Sequence, residues 1–306
     1  MESTLILELV LNGLQFGLML FLLAAGLTLI FGIMDFINLT HGSLYMAGAY
    51  FAASFTALTG SFWLGLLLAM AATALTGAVL EVLVFRRLYQ RDHMSQVLAT
   101  FALILIFNET ARILWGPQPL MLNTPPQFSE PVELLPGFSY SSFRLLIIAV
   151  GLIVAALLYF LVTKTRVGML VRAGASNREM ATVMGVNIKL IFTLLFALGA
   201  AFCAVAGSML GTILSVQVGM GESILILAFV VIVVGGIGSI RGALVGALLV
   251  GAVDTLSRTL LPMLLKVVLP AEAASNAGPA LASILIYVLM AAILFFKPKG
   301  LFPAHS

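Results

Sequence analysis

A chain of 306 residues with 62% hydrophobic and only 9% charged side chains has too little polar surface to close as a water-soluble fold. Its net charge of +3 comes from scattered basic residues with no aromatic-interleaved stripe, which argues against nucleic acid as a partner. The single cysteine, Cys203, rules out an intrachain disulfide and lies in an apolar run, as a small helix-core residue would.

The N-terminal stretch carries Glu2 and Glu8 and no Lys or Arg. A secretory leader begins with positive charge, so the first apolar run is expected to persist as a membrane helix. Crossing the hydrocarbon takes about 20 apolar residues. Runs of that kind fall at 7–33, 62–85, 97–115, 142–163, 189–214, 222–238, 242–261 and 280–296. The run at 42–58 is shorter and carries Ser43, Tyr45, Tyr50, Ser54 and Thr56. It is either a full crossing or a half-helix buried against its neighbours. The expected fold is an all-α polytopic transmembrane helix bundle of about eight or nine membrane helices with broken segments, forming one domain over 1–306.

Arg86, Arg87 and Arg91 share one loop, Lys164, Arg166, Arg172, Arg178 and Lys189 another, and Lys297 and Lys299 follow the last run. By the positive-inside rule these groups mark the cytoplasmic face. The 116–141 loop has no Lys or Arg and is assigned to the periplasm. The N-terminus is outside if 42–58 crosses and inside if it does not. Six of the eleven prolines fall in 116–141, so that loop is expected to be extended and irregular, without a helix of its own. It reads as a connector or as a docking surface for an external partner.

Small residues recur at helix-packing spacing in Gly13/Gly17, Gly207/Gly211 and Gly242/Gly246. Two apolar stretches are interrupted by glycine and polar residues: Phe31 to Gly48, and Val233 to Gly246. Broken helices at membrane depth are tolerated only when buried in protein or lining a cavity. One in each half hints at an internal repeat. The first break gathers Asp35, Asn38, Thr40 and His41, which are functional candidates inside a membrane or helix caps at its edge.

Between the membrane runs, 164–189 carries Ser176-Asn177-Arg178-Glu179, with the spacing of a capping box that puts Ser176 at the N-cap. Met180, Val183 and Met184 then recur at helical spacing, and Gly185 stands where a helix ends left-handed. The reading is a two-turn amphipathic helix that needs something to pack on, either the membrane surface or another subunit.

Glu179-Met180-Ala181 followed by Gly185 matches the E-A-A-x-x-x-G spacing of the loop by which ABC importer permeases contact their ATPase, with Met180 where Ala is usual. Ile37–Tyr50 (INLTHGSLYMAGAY) resembles the N-F-A-H-G-x-x-Y-M-x-G-A-Y stretch of bacterial branched-chain amino-acid ABC permeases of the LivH/LivM type. The glycine-rich segment from Val230 and the tail KPKGLFP resemble two further stretches of that family, in the same order. Leu39-Thr40 replaces Phe-Ala before His41, and Arg241 stands where Pro is usual. LivH fits better than LivM, because an extended N-terminal region is lacking.

The resemblance implies a heteromeric importer in the bacterial inner membrane. Its parts would be this permease, a second LivM-like permease subunit, two cytoplasmic ABC ATPase subunits and a periplasmic substrate-binding protein. It places ATPase coupling at Ser176, Asn177, Arg178, Glu179, Ala181 and Gly185. The translocation pathway would run by Asn38, His41, Gly42, Tyr45, Gly235, Gly236 and Gly238. No G-x-x-x-x-G-K-[ST] occurs, so nucleotide phosphates are not expected on this chain. No catalytic residue, metal site or cofactor is expected either, as there is no nucleophile, base or metal-ligand constellation. The competing reading is an ion-coupled secondary transporter or channel using Asp35, His41, Glu109 or Asp254. Against it, Glu109 and Arg112 lie three apart and Asp254 and Arg258 four apart, the spacing of local ion pairs.

Overall fold

The computed structural model describes residues 2–34 and 36–302, so Asp35 of the first break and Pro303 of the tail motif lie outside the described residues. The chain is a helical bundle: α1 (Glu2–Met34), α2 (His41–Thr59), α3 (Phe62–Leu80), a π-helical turn (Glu81–Phe85) running into the single turn α4 (Arg86–Leu88), and α5 (His93–Trp115). A hairpin of β1 (Pro131–Leu135) and β2 (Phe138–Ser141) follows. The rest comprises α6 (Ser142–Lys164), α7 (Arg166–Ser176), α8 (Arg178–Val183), α9 (Ile188–Gly211), α10 (Met220–Gly235), α11 (Ile240–Leu265) and α12 (Ala271–Phe296). Among the described residues seven helical spans are long and apolar enough to cross a membrane: α1, α3 with its extension to Leu88, α5, α6, α9, α11 and α12. The more polar α2 and the short α10 complete the bundle.

The bundle is built around α1, most of which is buried, whereas α5 and α12 turn most of their surface outward. Each glycine pair read from the sequence sits at a close crossing. Gly13 and Gly17 of α1 lie against Ala252 and Ala247 of α11, where an added Cβ would come within 3.2 Å of the facing backbone. Gly207 of α9 abuts the Tyr45 carbonyl of α2, and Gly242 and Gly246 of α11 abut Gly235 and Val231 of α10. In lipid, where apolar contact between helices gains nothing over solvent, such backbone approach supplies the dispersion contact that holds helices together.

The two ends of the bundle are distinct. At the loop end, the Tyr140 hydroxyl donates to Asn12 Oδ1 of α1 at 2.8 Å, and Leu120 pairs with Val216 as an isolated antiparallel bridge. At the opposite, basic end, an added Cβ on Gly32 would run into the Cα of Gly238. There the tail folds back: Leu301 N donates to the Val234 carbonyl and Phe302 N to that of Gly235, each at 2.9 Å. The first helix therefore starts at the loop end. The chain returns there through α2, because Gly60 and Phe62 line one cavity with residues 121–126 of the loop.

The 116–141 loop departs from the expectation of an irregular connector. It contains a 3₁₀ turn (Pro126–Phe128) and the hairpin, with Val132 opposite Tyr140 and Glu133 opposite Ser139. Closely spaced prolines disfavour an α-helix, but proline is accepted as the first residue of a strand, as Pro131 is here. The turn is closed by Gly137 N donating to the Glu133 carboxylate at 2.9 Å.

Candidate functional site

The chain from Phe36 to His41 does not cap a helix at the bundle edge. Phe36, at the basic end, packs tilted against Phe85 and edge-on against Tyr89, with ring centroids 5.2 and 5.3 Å away. From there the backbone climbs into the interior, where Asn38, Thr40 and His41 are fully buried. Asn38 Oδ1 accepts from Thr40 N at 3.0 Å, and the Thr40 hydroxyl donates to the Thr100 carbonyl of α5 at 3.2 Å. The segment is buried in protein, where non-helical backbone at membrane depth is tolerated.

His41 opens α2 deep inside. Its Nε2 lies 3.2 Å from the Leu23 carbonyl of α1 and 3.2 Å from Cys203 Sγ of α9. A carbonyl only accepts, so in this contact Nε2 is the donor; the Cys203 thiol faces the His41 carbonyl at 3.6 Å. Leu23 is eleven residues before Met34, about 16 Å along the helix axis at 1.5 Å per residue. Thus α2 starts well within the bundle and still reaches the loop end. His41 Nδ1 and Asn38 Nδ2 are buried with no hydrogen-bond partner among the described residues.

The start of α10 meets the start of α2 at the same depth. Gly42 and Gly221 abut through their carbonyls, and Gly219 N approaches Met46 Sδ at 3.4 Å. The segment before α10 is irregular, with positive φ at Ser215 and Gly219, so α10 is a second helix that begins inside the bundle. Beside the junction Glu222, in the first turn of α10, accepts a 2.6 Å hydrogen bond from Asn108 Nδ2 of α5. Neither residue was singled out from the sequence. The signal available was a carboxylate opening an apolar run.

Of the pathway residues expected from sequence, Asn38, His41, Gly42 and Tyr45 gather at this junction. Gly235, Gly236 and Gly238 do not. They lie at the basic end, where Gly236 abuts the Phe302 carbonyl and Gly235 faces Gly242 of α11. The glycine-rich segment and the tail, far apart in sequence, are thus one packed unit.

In the 164–189 loop the helix α8 forms, but its cap is Asn177 rather than Ser176. Ser176 is the last residue of α7, an additional helix, whereas Asn177 has an extended backbone and its Oδ1 accepts from Met180 N at 2.9 Å. Gly185 has φ of +85°, and Val186 N reaches back to the Ala181 carbonyl at 3.0 Å, the pattern of a left-handed helix stop. Ala181 is buried, while Met180, Val183 and Met184 are 58, 83 and 78% exposed. The side chains of Arg178 and Glu179 lie outside the described residues.

Two ion pairs expected from spacing are present: Arg112 with Glu109 at 2.9 Å and Arg258 with Asp254 at 2.7 Å. A third was not expected. Glu81 of the π turn, fully buried, is held by Arg86 at 2.9 Å, by the Thr193 hydroxyl of α9 at 2.6 Å and by the Tyr89 hydroxyl at 3.3 Å. Among the described residues no group of three or more His, Cys, Asp or Glu could hold a metal.

A bundle of apolar helices, seven of them long enough to cross a bilayer and two others beginning in its interior, defines a multi-pass membrane protein. The chain belongs to the family described as branched-chain amino acid transport system / permease component, which it matches over residues 9–294. It is 29% identical over 304 residues to the high-affinity branched-chain amino acid transport system permease protein BraD of Pseudomonas aeruginosa, covering 95% of this chain and 93% of that relative. The corresponding protein LivH of Escherichia coli strain K12 is 28% identical over 260 residues, covering 80% and 84%. A probable branched-chain amino acid transport permease protein LivH of Methanocaldococcus jannaschii is 28% identical over 253 residues, covering 78% and 76%.

Proposed function

We propose that this chain is the LivH-type permease subunit of an ATP-driven importer for branched-chain amino acids or similar small amino acids and amides. Its partners would be a LivM-like second permease, two cytoplasmic ABC ATPases and a periplasmic substrate-binding protein. The observation that carries the reading is α8: a capped two-turn helix whose Met180, Val183 and Met184 are largely exposed. A helix that short is not stable alone; its caps and Ala181 fix it, and its apolar side chains face outward, as an ATPase-docking helix requires. It leads directly into α9, which carries Thr193 of the Glu81 network and Cys203 beside His41. Motion of α8 would reach the helix junction by that route. The loop end, with its hairpin and a cavity of about 370 Å³ lined in part by Thr56, Phe62 and Asn123, is the proposed face for the binding protein.

The test is coupling. Glu179→Lys and Gly185→Val should insert in the membrane normally yet lose ATP-dependent uptake, and the wild type should co-purify with a P-loop ATPase. Full uptake in both variants would reject the coupling role. The ion-coupled reading draws on Glu109 and Asp254 among others, and these two are each held by an arginine. Uptake by the purified chain alone in proteoliposomes would select that reading instead.

A further inference from the structure

The Glu222–Asn108 pair lies inside the bundle, about a third of the way along α5 from its loop end. Asn108 is fifteen residues beyond His93 and seven before Trp115, about 22 and 10 Å along α5 from the two ends. Gly221, adjacent to Glu222, touches Gly42 at the interior start of α2. Yet Glu222 and its neighbour Ser223 are exposed. The carboxylate has a single neutral donor, Asn108, and no cation pairs with it among the described residues. Arg112, one turn along α5 toward the loop end, is already paired with Glu109. The N-terminus of α10 favours a negative side chain in its first turn, which sets the charge in place but does not neutralise it.

An ionised group at this depth is not left facing hydrocarbon; such groups face a bundle interior or a water-filled cavity and mark the path of a solute. From Asn108 the polar residues continue along α5 toward the loop end as Glu109 and Arg112. One turn from Asn108 on α5 and from Glu222 on α10 stand two exposed aliphatic residues, Leu105 and Ile226. A fixed carboxylate beside aliphatic surface suits a small solute with a protonated amine and an aliphatic side chain.

Resting on the transport reading above, we propose that Glu222, positioned by Asn108, lines a water-filled path and receives the protonated amine of the transported amino acid. The amine donates a charge-assisted hydrogen bond to the carboxylate, while the aliphatic part of the solute lies on Leu105 and Ile226.

Two measurements test this. Glu222→Cys and Asn108→Cys, in membranes, should react with a water-soluble charged thiol reagent at least ten times faster than Ile153→Cys, which is exposed on α6. The wild type, whose one cysteine is buried, is the blank. Equal, slow labelling at 222 and 153 would overturn the proposal. In the reconstituted importer at saturating binding protein, Glu222→Gln should lower the rate of leucine uptake ten-fold or more. Glu222→Asp should retain most of it, and both variants should hydrolyse ATP as wild type does. Wild-type uptake by Glu222→Gln would overturn the amine role while leaving the importer reading intact. Lack of ATP-dependent uptake by the unmutated assembly would overturn both.

Discussion

Gly42 and Gly221, the second residues of α2 and α10, meet backbone to backbone, each pressing against the carbonyl of the other. No side chain at the contact can swing aside, so a methyl group must move a helix. Gly42→Ala and Gly221→Ala are each expected to cost about 1–3 kcal/mol, as overpacking does. The cost should appear as a lower melting temperature of the detergent-purified protein. Leu58→Ala, at an exposed position, should stay within about 0.5 kcal/mol of wild type. Equal melting of all three variants would show that the two helix starts do not touch.

The π turn places Glu81 where water does not reach, with Arg86 as its counter-ion. Removing one partner of a buried pair leaves an uncompensated charge, typically costing about 3–5 kcal/mol. Because Arg86 is about one-third exposed, Arg86→Ala is expected near the lower end, about 3 kcal/mol. Glu81→Gln combined with Arg86→Met should recover part of the loss. A double variant that melts below Arg86→Ala would contradict the assignment of a single coupled pair.

Val183 is among the most exposed apolar residues and touches little of its own chain. Val183→Asp should therefore leave the melting temperature within about 0.5 kcal/mol of wild type while weakening capture of the ATPase ten-fold or more. A variant that binds the ATPase normally would remove α8 from the contact.

The two capping assignments separate cleanly. Asn177→Ala removes the acceptor for Met180 N and should cost about 1 kcal/mol locally. Ser176→Ala, in the last turn of α7, should cost little. Hydrogen exchange at the Met180 amide is the readout: faster exchange in the Ser176 variant alone would restore the other cap.

Periodicity and composition were enough to place most of the helices, because in lipid every backbone group must be satisfied within its own segment and long apolar runs have no alternative. The ion pairs Glu109–Arg112 and Asp254–Arg258 were legible for a similar reason: both partners lie on one helix and need only spacing. The cap moved by one residue because Ser176 was claimed by α7, whose amphipathic pattern was not read. The hairpin was missed because prolines signal the absence of a helix without saying what replaces it.

The family motifs fixed which kind of protein this is, and the long apolar runs fixed that it lives in a bilayer. Only the tertiary structure decided that α2 and α10 both begin in the interior and that the tail closes over Gly235 and Gly236. It alone brought Asn108, 114 residues before Glu222, into contact with it. Those features depend on close backbone crossings between helices distant in the chain, and no local spacing records which glycine faces which.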